Sequence, residues 1–230
     1  MAKEPQYYIR DAGSLPNDTE FIAAAFDSTL PYLDSIGGGE MWGKVPFSER
    51  KGFMEETRDS IEESESYCQT GTGEKIRLFI AEVGVGTACP DELKETKVQT
   101  RVWEDGEIRL SVAATCIREA WVPEYVAANS RLYIPPVDCG GPGDYVYVEF
   151  LVADHRTGGY RKGAGAALLQ QIQQHYKDKG FKTMYVDAWA DNGRKLVRYY
   201  ERLGFRAIDE FKMGRNDGRT WPGTVLQIDF

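Results

Sequence analysis

The sequence has little of what metal centres and acid–base triads are made from. Two histidines, His155 and His175, and four cysteines, Cys68, Cys89, Cys116 and Cys139, are all that 230 residues offer. None of the cysteines forms a CxxC pair, and their gaps match no zinc pattern. A metal site and a Ser-His-Asp triad therefore both lack material, and no metal is expected. No run of about 18 apolar residues occurs, which leaves no candidate membrane span. The opening "MAKEPQYYIRD" has no apolar h-region of a secretory signal. These shortages fit reduced thiols and a cytoplasmic protein. Positive charge is also short: 28 Lys and Arg face 36 Asp and Glu, for a formal charge of −8. Such a surface suits a nucleic-acid backbone poorly and a cationic or amine partner better.

What is present is an α/β pattern in a chain long enough to bury a sizeable core. "QYYIRDA" alternates like a first strand. Asn17 and Asp18 offer a cap for a helix carrying Phe21, Ala24, Ala25, Leu30 and Leu33, with Pro31 as a kink. "GGGE" reads as a loop, and a second helix follows with Ser48 as its cap. Its stretch from Glu55 to Glu65 holds six acidic residues and one basic, which reads as a solvated face or as an acidic wall. "IRLFIAEVG", "IRLSVAATCIREAWV" and "DYVYVEFLVAD" are strands, the last rich in Val, Tyr and Phe. The stretch between the first two reads as a strand end plus a turn. "YVAANSRLYIPPVDCGGPG" reads as a long loop. After the flexible turn "HRTGG", "YRKGAGAALLQQIQQHY" opens a helix whose Leu168, Leu169, Ile172 and Tyr176 share a face, closed by Gly180. "FKTMYVDAWA", a short helix ended by Gly204, and the strands "FRAIDEFKM" and "TVLQIDF" complete the chain. No repeat or linker divides residues 1–230, which read as one domain. Residues 1–75 would shape an acceptor site, and residues 76–230 would hold the sheet and the cofactor half.

Gly163 and Gly165 sit where a strand and loop meet a helix N-terminus. Free N–H groups there carry partial positive charge, and glycine lets an anion approach them closely. Arg161 and Lys162 add fixed charge beside them. Together they suit a phosphate or diphosphate, although close helix–sheet packing also favours glycine here. "GAGAAL" lacks the third glycine of a dinucleotide fingerprint, and no GK[ST] follows, so neither a Rossmann site nor a P-loop fits.

Tyr160-Arg161-Lys162-Gly163-Ala164-Gly165 followed by "AALL", then Asn192, then Tyr200-Glu201-Arg202-Leu203-Gly204-Phe205, resembles the two signature segments of the GNAT superfamily of N-acetyltransferases. The first position of the glycine segment is tyrosine here, where that family has Arg or Gln. The resemblance covers the C-terminal half and extends to the preceding strands. It implies a mixed central sheet of about seven strands flanked by helices, with acyl-CoA held at a splay between the central strands. It implies acetyl-CoA as co-substrate and a primary amine as acceptor. By the same resemblance, backbone groups of Leu151 and Val152 pair with the pantetheine arm, and Tyr160, Arg161, Lys162, Gly163, Ala164, Gly165 and Ala166 surround the diphosphate. Asn192 joins the cofactor set.

The resemblance makes Tyr200 the acid that protonates the departing thiolate, and a phenol of pKa about 10 can do so; its other reading is a packed aromatic. Tyr199 is expected to be structural. Glu149, the one carboxylate inside "VYVEFLV", is either a general base or an outward-facing strand residue. His155 and His175 are expected at the surface. Trp189 ends a strand beside the cleft, as a wall or as core. Trp42, Phe47, Trp121, Tyr125 and Tyr133 would form an aromatic acceptor pocket, or core. A small-molecule amine is preferred as acceptor; a protein or peptide amine, or a CoA-binding module without turnover, are the alternatives. "TVLQIDF" pairs either within the chain or across a homodimer.

Overall fold

The computed structural model describes residues 6–131, 145–215 and 218–230. One mixed sheet organises it, in the order β1-β2-β4-β5-β6-β8-β7, with a three-residue β3 paired to β4. The strands are β1 (Tyr7–Asp11), β2 (Ile76–Gly84), β3 (Thr100–Val102), β4 (Ile108–Glu119), β5 (Tyr145–Ala153), β6 (Thr183–Trp189), β7 (Arg206–Gly214) and β8 (Thr220–Asp229). The helices are α1 (Asp18–Ser35), α2 (Phe53–Thr70), α3 (Glu124–Asn129), α4 (Ala164–Asp178) and α5 (Lys195–Arg202). All strand pairs run antiparallel except β5 with β6. That makes eight strands where about seven were expected. The added one, β3, lies in the polar stretch read as a strand end plus a turn.

Period-two alternation explains why helices cover both faces of the sheet. In β2, Ile76, Leu78 and Ile80 face the core under α1 and α2, while Phe79, Ala81 and Val83 face the core under α4 and α5. On α4 the expected stripe of Leu168, Leu169, Ile172 and Tyr176 is fully buried. Leu168→Ala should leave a cavity there and lower stability by about 3 kcal/mol, read as a fall in the denaturation midpoint at unchanged slope. On α2 only Thr57, Ile61 and Ser64 are buried, so the acidic run is a solvated face.

Several local expectations are corrected. Ser48 does not cap α2. It lies in a short 3₁₀ turn, and the helix starts after Gly52, whose φ of +86° suits glycine. Asn17 sits at the N-cap of α1 but makes no side-chain cap. Asp18 instead accepts a bidentate pair of bonds from Arg10, both at 2.7 Å. Residues 125–129, read as loop, belong to α3, which follows Pro123. The "HRTGG" turn is 3₁₀ helical over His155–Arg161, with Gly158 at φ +56°, ψ −122°. His175 is not a free surface residue: its Nε2 is buried with no partner among the described residues, and its ring packs edge-on to Phe79 and Tyr176. β8 pairs on both sides within the chain, with β6 and β7. Tyr133 and Cys139 lie outside the described residues. Among the described residues no helix is long and apolar enough to cross a membrane.

Candidate active site

The sheet opens where β5 and β6 part. Their parallel pairing covers only Tyr145–Val148 with Thr183–Val186. β5 then runs on to Ala153 and β6 to Trp189, unpaired with each other. A bulge starts the divergence: Cys116 of β4 pairs Phe150 and Ile117 pairs Val148, so Glu149 has no opposite residue. An added residue bends a strand and increases its twist. The result is a cleft of about 720 Å³, lined among others by Glu149, Leu151, Gly163, Gly165, Asp187 and Tyr200. It has a polar end at the glycine turn and an aromatic end at Trp189 and Trp221.

At the polar end the backbone is ready for an anion. The N–H groups of Gly163, Ala164, Gly165 and Ala166 make no hydrogen bond among the described residues, and no side chain caps the helix. The first to be used is that of Ala167, bonded to the Gly163 carbonyl at 3.0 Å. Gly163 has φ +92°, which disfavours any side chain. Gly165 leaves room of a different kind: a Cβ there would stand 2.8 Å from Tyr199 Oη and 3.4 Å from Leu151 Cδ2. Arg161 lines the cleft with a buried, unpartnered Nε. Its guanidinium lies 5.6 Å over the ring of Tyr32, which stacks on His155 at 4.1 Å. His155 is thus half-buried rather than solvent-exposed, and burial plus Arg161 pull its pKa down to about 4. It is neutral near pH 7, while Arg161 and Lys162 line the cleft at this end as cations. Free N–H donors, a glycine cradle and an unpaired arginine fit a diphosphate.

In the middle of the cleft, burial raises the phenol of Tyr200 well above the ordinary range, with Tyr199 and Asp187 adding to the shift. Its hydroxyl therefore stays protonated, and it has no hydrogen-bond partner among the described residues. Tyr199 is not a remote structural residue. It lines the same cleft, and its hydroxyl lies against Gly165. Glu149 is the exposed residue of an otherwise largely buried strand. It accepts hydrogen bonds from Arg118 Nε at 2.6 Å and from the Cys116 thiol at 3.2 Å. Burial, with Glu149 second, raises the Cys116 pKa, so that thiol stays protonated.

The structure brings most of the expected residues to one place. Leu151, Val152, Arg161, Lys162, Gly163, Gly165, Asn192, Glu149 and Tyr200 all line the cleft. Tyr160, Ala164 and Ala166 are not among the lining residues. The Tyr160 hydroxyl faces Glu92 at 3.4 Å, away from the cleft. Asn192 opens three successive left-handed residues, φ +50°, +62° and +59° through Arg194, and its Nδ2 bonds the Ile36 carbonyl at 3.0 Å. Of the aromatic set, Trp42 and Tyr125 line the cleft, as does Trp189. Phe47 is core beside Phe26. Trp121 packs edge-on to Tyr147, outside the lining.

Sequence reasoning missed Asp187. It lies in the cleft wall on β6 and accepts both the Tyr147 hydroxyl at 2.7 Å and the Tyr125 hydroxyl at 3.0 Å. Burial raises its pKa while the two phenols pull it down. The signal was available: a lone Asp in "TMYVDAWA", at the parity of Tyr185 and Trp189.

Residues 98–205 match the model of the acetyltransferase (GNAT) family. No curated protein matches the chain significantly. Solved structures share the fold over almost the whole length. A protein described as a phosphinothricin N-acetyltransferase is 16% identical, with a TM-score of 0.52 over 97% of this chain and 98% of its own. YncA from Salmonella typhimurium, solved with its cofactor acetyl-CoA, is 15% identical, with a TM-score of 0.51 over 97% and 93%. The ribosomal-protein-alanine N-acetyltransferase of Brucella melitensis is 15% identical, with a TM-score of 0.52 over 97% and 99%.

Proposed function

We propose, for a chain that carries a GNAT-family acetyltransferase domain over residues 98–205 on that family's fold, that the protein moves an acetyl group from acetyl-CoA to the primary amine of a small molecule. The observation that carries this reading is the juxtaposition of the β5–β6 splay, an uncapped helix N-terminus at one end of it and the protonated Tyr200 within it. Acetyl-CoA would supply the activated acetyl group. The protein's part is to hold, orient and move protons. Backbone N–H groups of Gly163 to Ala166, with Arg161 and Lys162, hold the diphosphate. The open edge of β5 at Leu151 and Val152 offers backbone donors and acceptors to the pantetheine arm, as an added strand would. Tyr200 donates its proton to the departing thiolate. Glu149, directly or through water, takes the proton that the amine loses. Residues 1–75 shape the acceptor side in this reading, within one acetyltransferase unit.

Structural neighbours do not decide the acceptor, since one is described as acting on phosphinothricin and another on a ribosomal-protein alanine. The cleft favours a small molecule. Its aromatic end is crossed by residues 36–42, whose carbonyls are held from two sides. Asn192 and Lys195 bond Ile36, both at 3.0 Å, and Arg215 bonds Glu40 and Met41, both at 2.6 Å.

Free-thiol release from acetyl-CoA, measured against small amines, amino acids, aminoglycosides and short peptides, tests the reading. Release confined to a class of small amines is expected. Tight acetyl-CoA binding with no release for any acceptor would overturn it. Glu149→Gln should lower kcat/KM about tenfold. An unchanged kcat/KM would take Glu149 out of the mechanism.

A further inference from the structure

Asp187 is a recessed carboxylate that makes no ion pair among the described residues. Its side-chain donors are the phenols of Tyr147 and Tyr125. Both phenols donate to the same oxygen, Oδ1. Oδ2 receives no side-chain donor among the described residues, and it is not sealed from the cleft. A partly buried charge without an opposite charge beside it is costly, and sites that bear this cost are commonly built for a ligand.

The walls around that oxygen are aromatic. Trp189 and Trp221 share a buried cluster with Phe211, and Met41 and Tyr125 pack against it. Trp189, Trp221, Met41, Trp42 and Tyr125 all line the same cleft as Asp187. Trp221 Nε1 donates to the Met41 carbonyl at 3.2 Å, which fixes that indole. Indole faces attract cations and pack flat rings. A flexible polycation would leave these faces unfilled.

We propose that the acceptor is a compact arylalkylamine, whose ammonium docks on Asp187 and whose flat body fills the space bounded by Tyr125, Trp189 and Trp221. Acetyl transfer to it rests on the function proposed above; the docking site does not.

The test titrates the whole chain, loaded with CoA, with 2-phenylethylamine, n-propylamine, 2-phenylethanol and an alanine-initiated hexapeptide. Tryptophan fluorescence and calorimetry read binding. Phenylethylamine should bind about tenfold tighter than propylamine, from the ring area it buries, and the uncharged alcohol should bind more weakly than the amine. Asp187→Asn should weaken phenylethylamine binding about tenfold, the loss of a charged hydrogen bond, while CoA affinity stays within about twofold. Tyr125→Phe serves if that variant does not fold. It removes one donor to the anionic carboxylate, so the acid limb of amine binding should move to higher pH. A hexapeptide that binds as tightly as phenylethylamine, equal affinity for amine and alcohol, or full amine affinity in the folded Asp187→Asn variant would each overturn the proposal. Docked amine with no thiol release from acetyl-CoA would overturn the transfer reaction and leave the docking site standing.

Discussion

Tyr200→Phe should lower the rate of thiol release by at least about a hundredfold while acetyl-CoA affinity stays unchanged, because it deletes a proton donor and little else. The ring stays in its packing against Tyr199 and Phe205, at 5.4 and 5.6 Å. No hydrogen bond of the folded state is lost, since the hydroxyl has no partner among the described residues. Stability should therefore hold, and the effect should sit in kcat. Burial raises the pKa of this phenol, so the enzyme should stay active through pH 10 as far as this acid is concerned, with its basic limb above the ordinary tyrosine range. Tyr199→Phe is the control that separates two adjacent phenols. Tyr199 Oη lies against Gly165 at the diphosphate end, so its loss should act on the KM for acetyl-CoA and leave kcat near its original value. Measuring both variants by single-turnover kinetics decides the matter. A full rate in Tyr200→Phe would remove it as the acid, and a collapse of kcat in Tyr199→Phe would move the assignment one residue back.

The two tyrosines also show what the sequence could carry. Two glycines at a helix mouth, a β-branched strand before them and a leucine face after them are local signals, and each of them maps onto the structure at its expected position. β4 and β5 were visible because buried strands must be apolar on both faces. The bulge at Glu149 was not visible. It depends on register with β4, 33 residues away in the pair Cys116–Glu149, and nothing in "VYVEFLV" announces a skipped residue. The crossing of the cleft by residues 36–42 was hidden for a related reason. Its acceptors are the backbone carbonyls of Ile36, Glu40 and Met41, and its donors lie some 156 to 180 positions away. A carbonyl is present at every residue, so sequence gives no sign of which ones will be used. Asp187 differs. The argument that singled out Glu149, a carboxylate costly on a strand, applied to it equally, and alternation with Met184, Val186 and Ala188 placed it on the opposite face from the core. His155 was misread because its burial comes from Tyr32, a helix residue more than a hundred positions earlier.

Gly165→Val should cost acetyl-CoA at least about thirtyfold in affinity with only a modest fall in stability, and the comparison with Gly163→Val makes the reason testable. The two glycines do different things. Gly163 has φ +92°, so any side chain there strains the backbone by about 1–2 kcal/mol, and a β-branched one by more. Its variant should unfold earlier. Gly165 does not have a left-handed φ. A side chain added there meets Tyr199 Oη at 2.8 Å and Leu151 Cδ2 at 3.4 Å, both at ends of side chains that can move. The fold can absorb this, but the valine methyls and the displaced phenol then occupy the cleft beside free N–H groups that a diphosphate must touch. Calorimetric titration with CoA and a thermal melt of each variant separate the two effects. Loss of stability in both, with affinity per folded molecule intact, would mean that glycine serves helix–sheet packing at position 165. Loss of affinity in Gly165→Val at near-native stability would mean that the turn holds the diphosphate through its backbone, and the pantetheine arm must then run along β5 toward Tyr200.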